Sequence, residues 1–478
     1  MKEMGRRPVE TALTRRFVSA KAVIALASTV VVSWQNQLFL APIALANGCL
    51  AGYFWTSLIV FPAMHVVYIG LREKAERWPA SAGQFFWIAH LAPRRCARQL
   101  SFLSGWMLTV SWQIFLGAGV MIIGNAAATL VVLHTGSNRF WLPTVLSMLT
   151  ALCIFAINRW CLPLLAKLKV HMLVFHVAVF FLFVAVLLGL RAHSGLPYAT
   201  ASSVFLTFRN SGGWVSNAGA AFIAALVPLS SAVGYDCLFH LSEEIKSAAS
   251  IVPAALTWCA MINFSLGLIT ALVIDFSVAD INAVFGTPLS RSGPIGPVVQ
   301  IIYTATASLG WTTAIVTLLA ASVVPCCINS FTAASRQLWA FAENGGLPGS
   351  TWIQQVYTTD KLPSKAIWLT LIGPIVLPLL NLLSKVALNA VASVVINNLI
   401  ASYLLVAGSS IYARYTRYGI FPPVVHPEPA EINWATALFG GSCLAGGLLY
   451  YYHGRKNYRG PLDKAQALDV VAPATGTA

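Results

Sequence analysis

Charged residues are scarce in this chain. They make up 9% of its 478 residues, against 58% hydrophobic ones, whereas an ordinary soluble domain carries about a quarter. A water-exposed surface cannot be built from that supply, and the mean hydropathy of +0.74 excludes a soluble protein of this length. The nine cysteines lie mostly inside apolar runs, with no CxxC pair. That excludes a secreted disulfide framework and makes them small buried hydrophobes, with no structural disulfide expected. Also lacking is any cluster of His, Cys and carboxylates, so neither a metal site nor a membrane enzyme is expected. His171 and His176 are five apart, about 140° around a helix, and do not share a face for a metal. Gly117, Gly119 and Gly124 sit in an apolar run with no strand before them, which suits helix contact rather than a nucleotide loop. No cofactor follows from the sequence.

The net charge of +15 is dispersed in short basic clusters between apolar runs. This pattern fits lipid headgroups and cytoplasmic loops, not nucleic acid. Eleven runs are long enough to cross a bilayer: 22–46, 48–71, 102–133, 141–160, 162–190, 218–241, 253–274, 311–341, 366–383, 386–412 and 434–452. The chain is therefore expected to be an all-α multi-pass membrane protein. The connection 72–98 reads as structured, 191–217 as polar, and 275–297 as exposed with a short helix after it. Placing the N-terminus in the cytoplasm puts 21 basic residues in inside loops and 5 in outside loops, which favours that orientation.

The chain is organised around 226–246, where an apolar run passes Pro228, Ser231 and Gly234-Tyr235 and meets a lone acid, Asp236. An acid at membrane depth costs several kcal/mol unless it faces protein, water or a ligand, so it reads as a functional residue. Pro and Gly nearby are where a membrane helix can break and free backbone groups for a ligand. The first run carries Ser33-Trp34-Gln35-Asn36-Gln37 at its middle. Consecutive polar residues cannot share one helix face, so a second break facing substrate is expected there. Runs 1 and 6 each open a block of five, the spacing of an inverted five-plus-five repeat. The expected organisation is a cytoplasmic segment 1–21, a ten-helix core 22–412 with repeats 22–190 and 218–412, a connection 413–433, a terminal helix 434–452 and a tail 453–478. Such a core is that of a secondary transporter.

Candidate substrate-binding residues are Ser33, Trp34, Gln35, Asn36, Gln113, Ser231, Gly234, Tyr235, Asp236 and Asn329. His240, one turn past Asp236, could share its proton. Glu243 and Glu244, at the cytoplasmic end of the sixth run, are expected to pair with basic residues on the inner side, Arg336 among them, and hold an inner gate.

Two motifs carry a resemblance. D-C-L-F-H-L-S-E-E-I at 236–245 followed by Pro253, and A-S-R-Q-L-W-A-F-A-E-N-G-G-L-P at 334–348, resemble the amino acid, polyamine and organocation permease superfamily, most of all its fungal branch of amino acid, GABA and choline permeases. Ala46-Asn47-Gly48, Gly105-Trp106 and Trp112-Gln113 add to it. The resemblance implies the five-plus-five fold, an amino acid or organic amine as substrate, and ion-coupled uptake, with a proton as the expected ion, at the plasma membrane. It also implies twelve spans. Here 418–433 offers sixteen residues, four of them proline, too few for the roughly 20 apolar residues of a span, so the eleventh family helix is expected to be absent. The alternative function is a non-transporting nutrient sensor or degenerate paralogue that keeps the fold.

Overall fold

The computed structural model describes residues 19–356, 362–383 and 385–418. Within them the elements in order are α1 (Ala20–Val31), α2 (Ser33–Arg77), α3 (Gly83–Leu91), α4 (Ala97–Thr135), α5 (Leu142–Trp160), α6 (Leu162–His193), α7 (Ala201–Leu206), α8 (Asn217–Ala224), α9 (Leu226–Ala232), α10 (Cys237–His240), α11 (Ala248–Ser277), α12 (Ile281–Phe285), α13 (Gly296–Thr306), α14 (Leu309–Glu343), α15 (Ser350–Ile353), α16 (Ser364–Thr370), α17 (Ile372–Val376), α18 (Leu380–Leu383) and α19 (Lys385–Tyr418). Among the described residues nine stretches are long and apolar enough to cross a membrane. The first, Ala20–Arg77, is 58 residues long, well over twice the roughly 20 residues that one crossing needs. It doubles back at Cys49, whose φ of 56° and ψ of −155° interrupt the helix. The hydrogen bonds from Tyr53 Oη to the Gln37 carbonyl at 2.8 Å and from Gln37 Nε2 to Ser57 Oγ at 3.0 Å join its two antiparallel limbs. The protein is thus an all-helical, multi-pass membrane protein, with the first stretch counting as two crossings. The expected connection, terminal helix and tail beyond 418, the absent eleventh span, and nearly all of 1–21 lie outside the described residues.

Both expected breaks are present. Between α1 and α2 the chain turns at Val32, a β-branched residue held at φ 42°, ψ 45°. That conformation costs about 1–3 kcal/mol and persists only where packing imposes it. The polar run after it is not unwound, as the sequence suggested, but forms the first turns of α2. Helix can resume there because its side chains radiate to different neighbours, as described below. Between α9 and α10 the break falls at Val233 and Gly234, with Gly234 at φ 105°, a region that a side chain would make strained. The two breaks lie side by side: Ser33 Oγ donates to the Ser231 carbonyl at 2.5 Å and lies 3.3 Å from Tyr235 Oη.

Packing follows from small residues. A Cβ on Gly105 would lie 2.5 Å from the Phe341 ring, so α4 can lie against α14 only with glycine there. The connection 275–297, expected to be exposed, is so over much of its middle, with Asp280, Asn282, Pro288 and Arg291 exposed. Its ends are buried instead: Asp275, Ser277 and Val278 because α11 continues to Ser277, and Ile295 where α13 begins. The ninth run, expected as one helix, is divided into α16, α17 and α18, with Pro374 and Pro378 unable to donate to the helical ladder.

Candidate functional site

Asp236 has no exposed surface and stands at the start of α10, just after the break. Three donors converge on it from three other positions. Tyr403 on α19 donates to Oδ1 at 2.6 Å, Trp112 on α4 donates through Nε1 to Oδ2 at 3.0 Å, and His240 Nε2 lies 3.2 Å from the same Oδ2. The other ring nitrogen, His240 Nδ1, is 3.1 Å from the Ser81 carbonyl. A carbonyl only accepts, so Nδ1 carries a proton. One further proton therefore lies on the Nε2–Oδ2 line, either as imidazolium and carboxylate or as imidazole and carboxylic acid. The pair is neutral in both forms. The same Tyr403 hydroxyl accepts from the Gly234 backbone N–H at 3.3 Å, and Tyr68 donates to the Ala232 carbonyl at 2.6 Å, so backbone groups freed by the break are also tied.

A second layer lies past α10. Arg336 on α14 donates through Nε to Glu244 Oε1 at 2.6 Å, with both side chains 2% exposed. Arg336 belongs to the buried body of α14, not to a loop. Glu243 is bonded by the Ser81 hydroxyl, which joins this layer to the connection between α2 and α3. Lys169 on α6 donates to Asn329 Oδ1, and Asn329 donates to Thr29 Oγ1 on α1 at 2.7 Å.

A cavity of about 300 Å³ adjoins the breaks on the other side. Val32, Asn36, Ser230, Val233, Phe115 and Asn125 are among its lining residues. Of the residues proposed from sequence for the substrate, Asn36 lines it. Trp34 and Gln35 point away, toward α6: Trp34 Nε1 donates to His176 Nε2 at 3.0 Å, and the Gln35 amide lies 3.0 Å from His176 Nδ1. Trp34 also stacks on Phe183 with ring centroids 6.0 Å apart. Ser33, Ser231, Gly234 and Tyr235 build the breaks themselves. Gln113 faces Thr370 at 3.4 Å, and Asn329 belongs to the Lys169 link. Asp236 lies behind Val233 and does not line the cavity. Sequence reasoning missed Tyr403, Tyr68, Lys169, His176 and Asn125 as partners. Tyr68 and Asn125 are polar residues set in apolar runs, Lys169 and His176 belong to a stretch that also holds Lys167 and His171, and Tyr403 follows Ser402, signals that also fit polar packing between helices.

The family model for amino acid permeases matches residues 18–450. The chain belongs to the amino acid permease family. This permease is 24% identical over 452 residues to an uncharacterized amino-acid permease of Schizosaccharomyces pombe, covering 86% of this chain and 80% of that protein. It is 24% identical over 442 residues to a choline transporter of Saccharomyces cerevisiae, covering 84% and 75%. Among solved structures, Mhp1, a nucleobase-cation-symport-1 family transporter, aligns with a TM-score of 0.49 at 14% identity, over 97% of this chain and 100% of its own. By its membership of the amino acid permease family, the chain is a membrane transporter with a small-molecule substrate.

Proposed function

We propose that this permease is a secondary active transporter of an amino acid or related amine, coupled to protons, in the plasma membrane with its N-terminus in the cytoplasm. The observation that carries this reading is that one cavity touches both helix breaks, with Val32 and Asn36 from the first and Ser230 and Val233 from the second. Freed N–H groups at the start of α2 suit a carboxylate, and carbonyls at the end of α1 suit an ammonium. The repeats 22–190 and 218–412 would rock around this point, exposing the cavity to each side in turn.

The Asp236–His240 pair supports a proton as the coupling ion: with the shared proton it is neutral, and releasing that proton leaves one buried negative charge, so the loaded and unloaded states differ in energy. The layer of Glu244–Arg336 and Ser81–Glu243 is suited to the inner gate: its contacts join the turn after α10 to α14 and to the connection before α3, so opening on that side must separate them. Uptake of labelled amino acids, GABA and choline by reconstituted vesicles, with and without an imposed proton gradient, tests the reading. Gradient-stimulated uptake of one of them is expected. Absence of uptake for every one, in protein that is inserted and folded, would favour the nutrient sensor.

A further inference from the structure

The cavity holds two side-chain amides, and both are turned the same way. Asn36 Nδ2 reaches back across the first break to the Val31 carbonyl at 3.2 Å. Asn125 Nδ2 bonds the Met121 carbonyl one turn earlier in α4 at 2.8 Å. Only the amide nitrogen can donate to a carbonyl, so these bonds fix the orientation of both groups. Each amide is left with its oxygen, and neither Oδ1 meets a protein donor among the described residues. The rest of the wall is mostly apolar, with Phe39, Phe115 and Pro42 among its residues, the Ser230 hydroxyl and the Cys326 thiol as further polar groups, and no carboxylate or basic side chain. Asp236, the nearest candidate counter-ion by sequence, is fully buried and already holds three partners, so it is not free to pair with a substrate cation.

From this arrangement we infer that Asn36 and Asn125 select the substrate's nitrogen by its N–H groups. The substrate class is a primary or secondary amine, amino acids included, with an apolar body, and quaternary ammonium compounds are discriminated against. An amide oxygen rewards a donor N–H and offers a methylated nitrogen no hydrogen bond, while the nitrogen's charge must then be left in an apolar pocket without a counter-ion. This inference rests on the transport reading above and narrows its substrate.

Matched pairs test it, using the purified full-length permease in vesicles: GABA against its N-trimethyl analogue, and ethanolamine against its mono-, di- and trimethyl derivatives, the last being choline. Binding is followed by intrinsic tryptophan fluorescence. Affinity is expected to fall with each N–H lost, and by about tenfold or more between the ends of a series, since a bond to a charged donor is worth at least that factor. Asn125→Leu should weaken the N–H members by about tenfold and leave the quaternary members unchanged. The methylation series in the unaltered protein needs no variant to fold. Equal affinity along both series, or equal weakening of all members by Asn125→Leu, would overturn the inference and leave the transporter reading intact. Failure of every compound to bind would overturn both.

Discussion

Two carboxylates in this bundle, Asp236 and Asp275, have no exposed surface, and their surroundings differ in kind. Asp236 accepts from Trp112 and Tyr403 and shares a proton with His240, so groups on α4, α10 and α19 converge on one side chain. Asp275, near the end of α11, has no hydrogen-bond partner on either oxygen among the described residues. Tyr53, the ionisable group beside it, spends its hydroxyl on the Gln37 carbonyl. Burial by itself therefore does not distinguish the two acids. Convergence of donors from separate helices does, because those helices must stay in register for the group to be satisfied.

The contrast can be broken most forcefully by taking the guanidinium from a buried carboxylate. Arg336→Met does this to Glu244 and is expected to cost about 3 kcal/mol, since the nearby Lys169 still offsets part of the charge. Thermal unfolding in detergent measures this as a lowered midpoint. A smaller loss is expected from Tyr403→Phe, which removes one donor to Asp236 and costs about 1.5–3 kcal/mol. The same unfolding assay would show no change if that bond were unimportant. Gly234→Ala has room for its methyl, whose nearest neighbours would be Phe115 and Val31 at 3.8 Å. Its cost is conformational, about 1–2 kcal/mol, and limited proteolysis should detect the loosened break. Asp275→Asn lies at the other end of the scale. An amide is cheaper to bury than an unpaired carboxylate, so the variant should remain within about 1 kcal/mol of wild type, in the stabilising direction. A large destabilisation would mean that Asp275 holds a partner and that the two acids are alike.

Hydropathy made the helix count through 412 legible, because each crossing needs its own apolar run. The two breaks were legible from polar or glycine-bearing interruptions. What hydropathy could not convey was direction around the helix axis. Ser33, Trp34, Gln35 and Asn36 were all expected at a break facing substrate, yet a helix turn sends them to α9, α6 and the cavity, and Gln37 after them to the opposite limb of α2. Asp236 was recognisable as a buried acid, whereas its cage was not, since Trp112 and Tyr403 are 124 and 167 residues away. The burial of Asp275 and Ser277 was hidden for a related reason. Polar residues there suit the start of a loop, and it is the continuation of α11 to Ser277 that packs them inside.

Central to this account is that Asp236 carries a proton and does not touch the substrate. Asp236→Asn can keep an oxygen toward Trp112 and turn its amide nitrogen to the Tyr403 hydroxyl, so the fold is expected to survive, but it cannot exchange a proton. Equilibrium binding and proton-driven uptake should be measured side by side on this variant, with whichever amine the wild type accumulates. Binding as tight as wild type with uptake abolished is the predicted result, and loss of binding, or uptake at the wild-type rate, would contradict it.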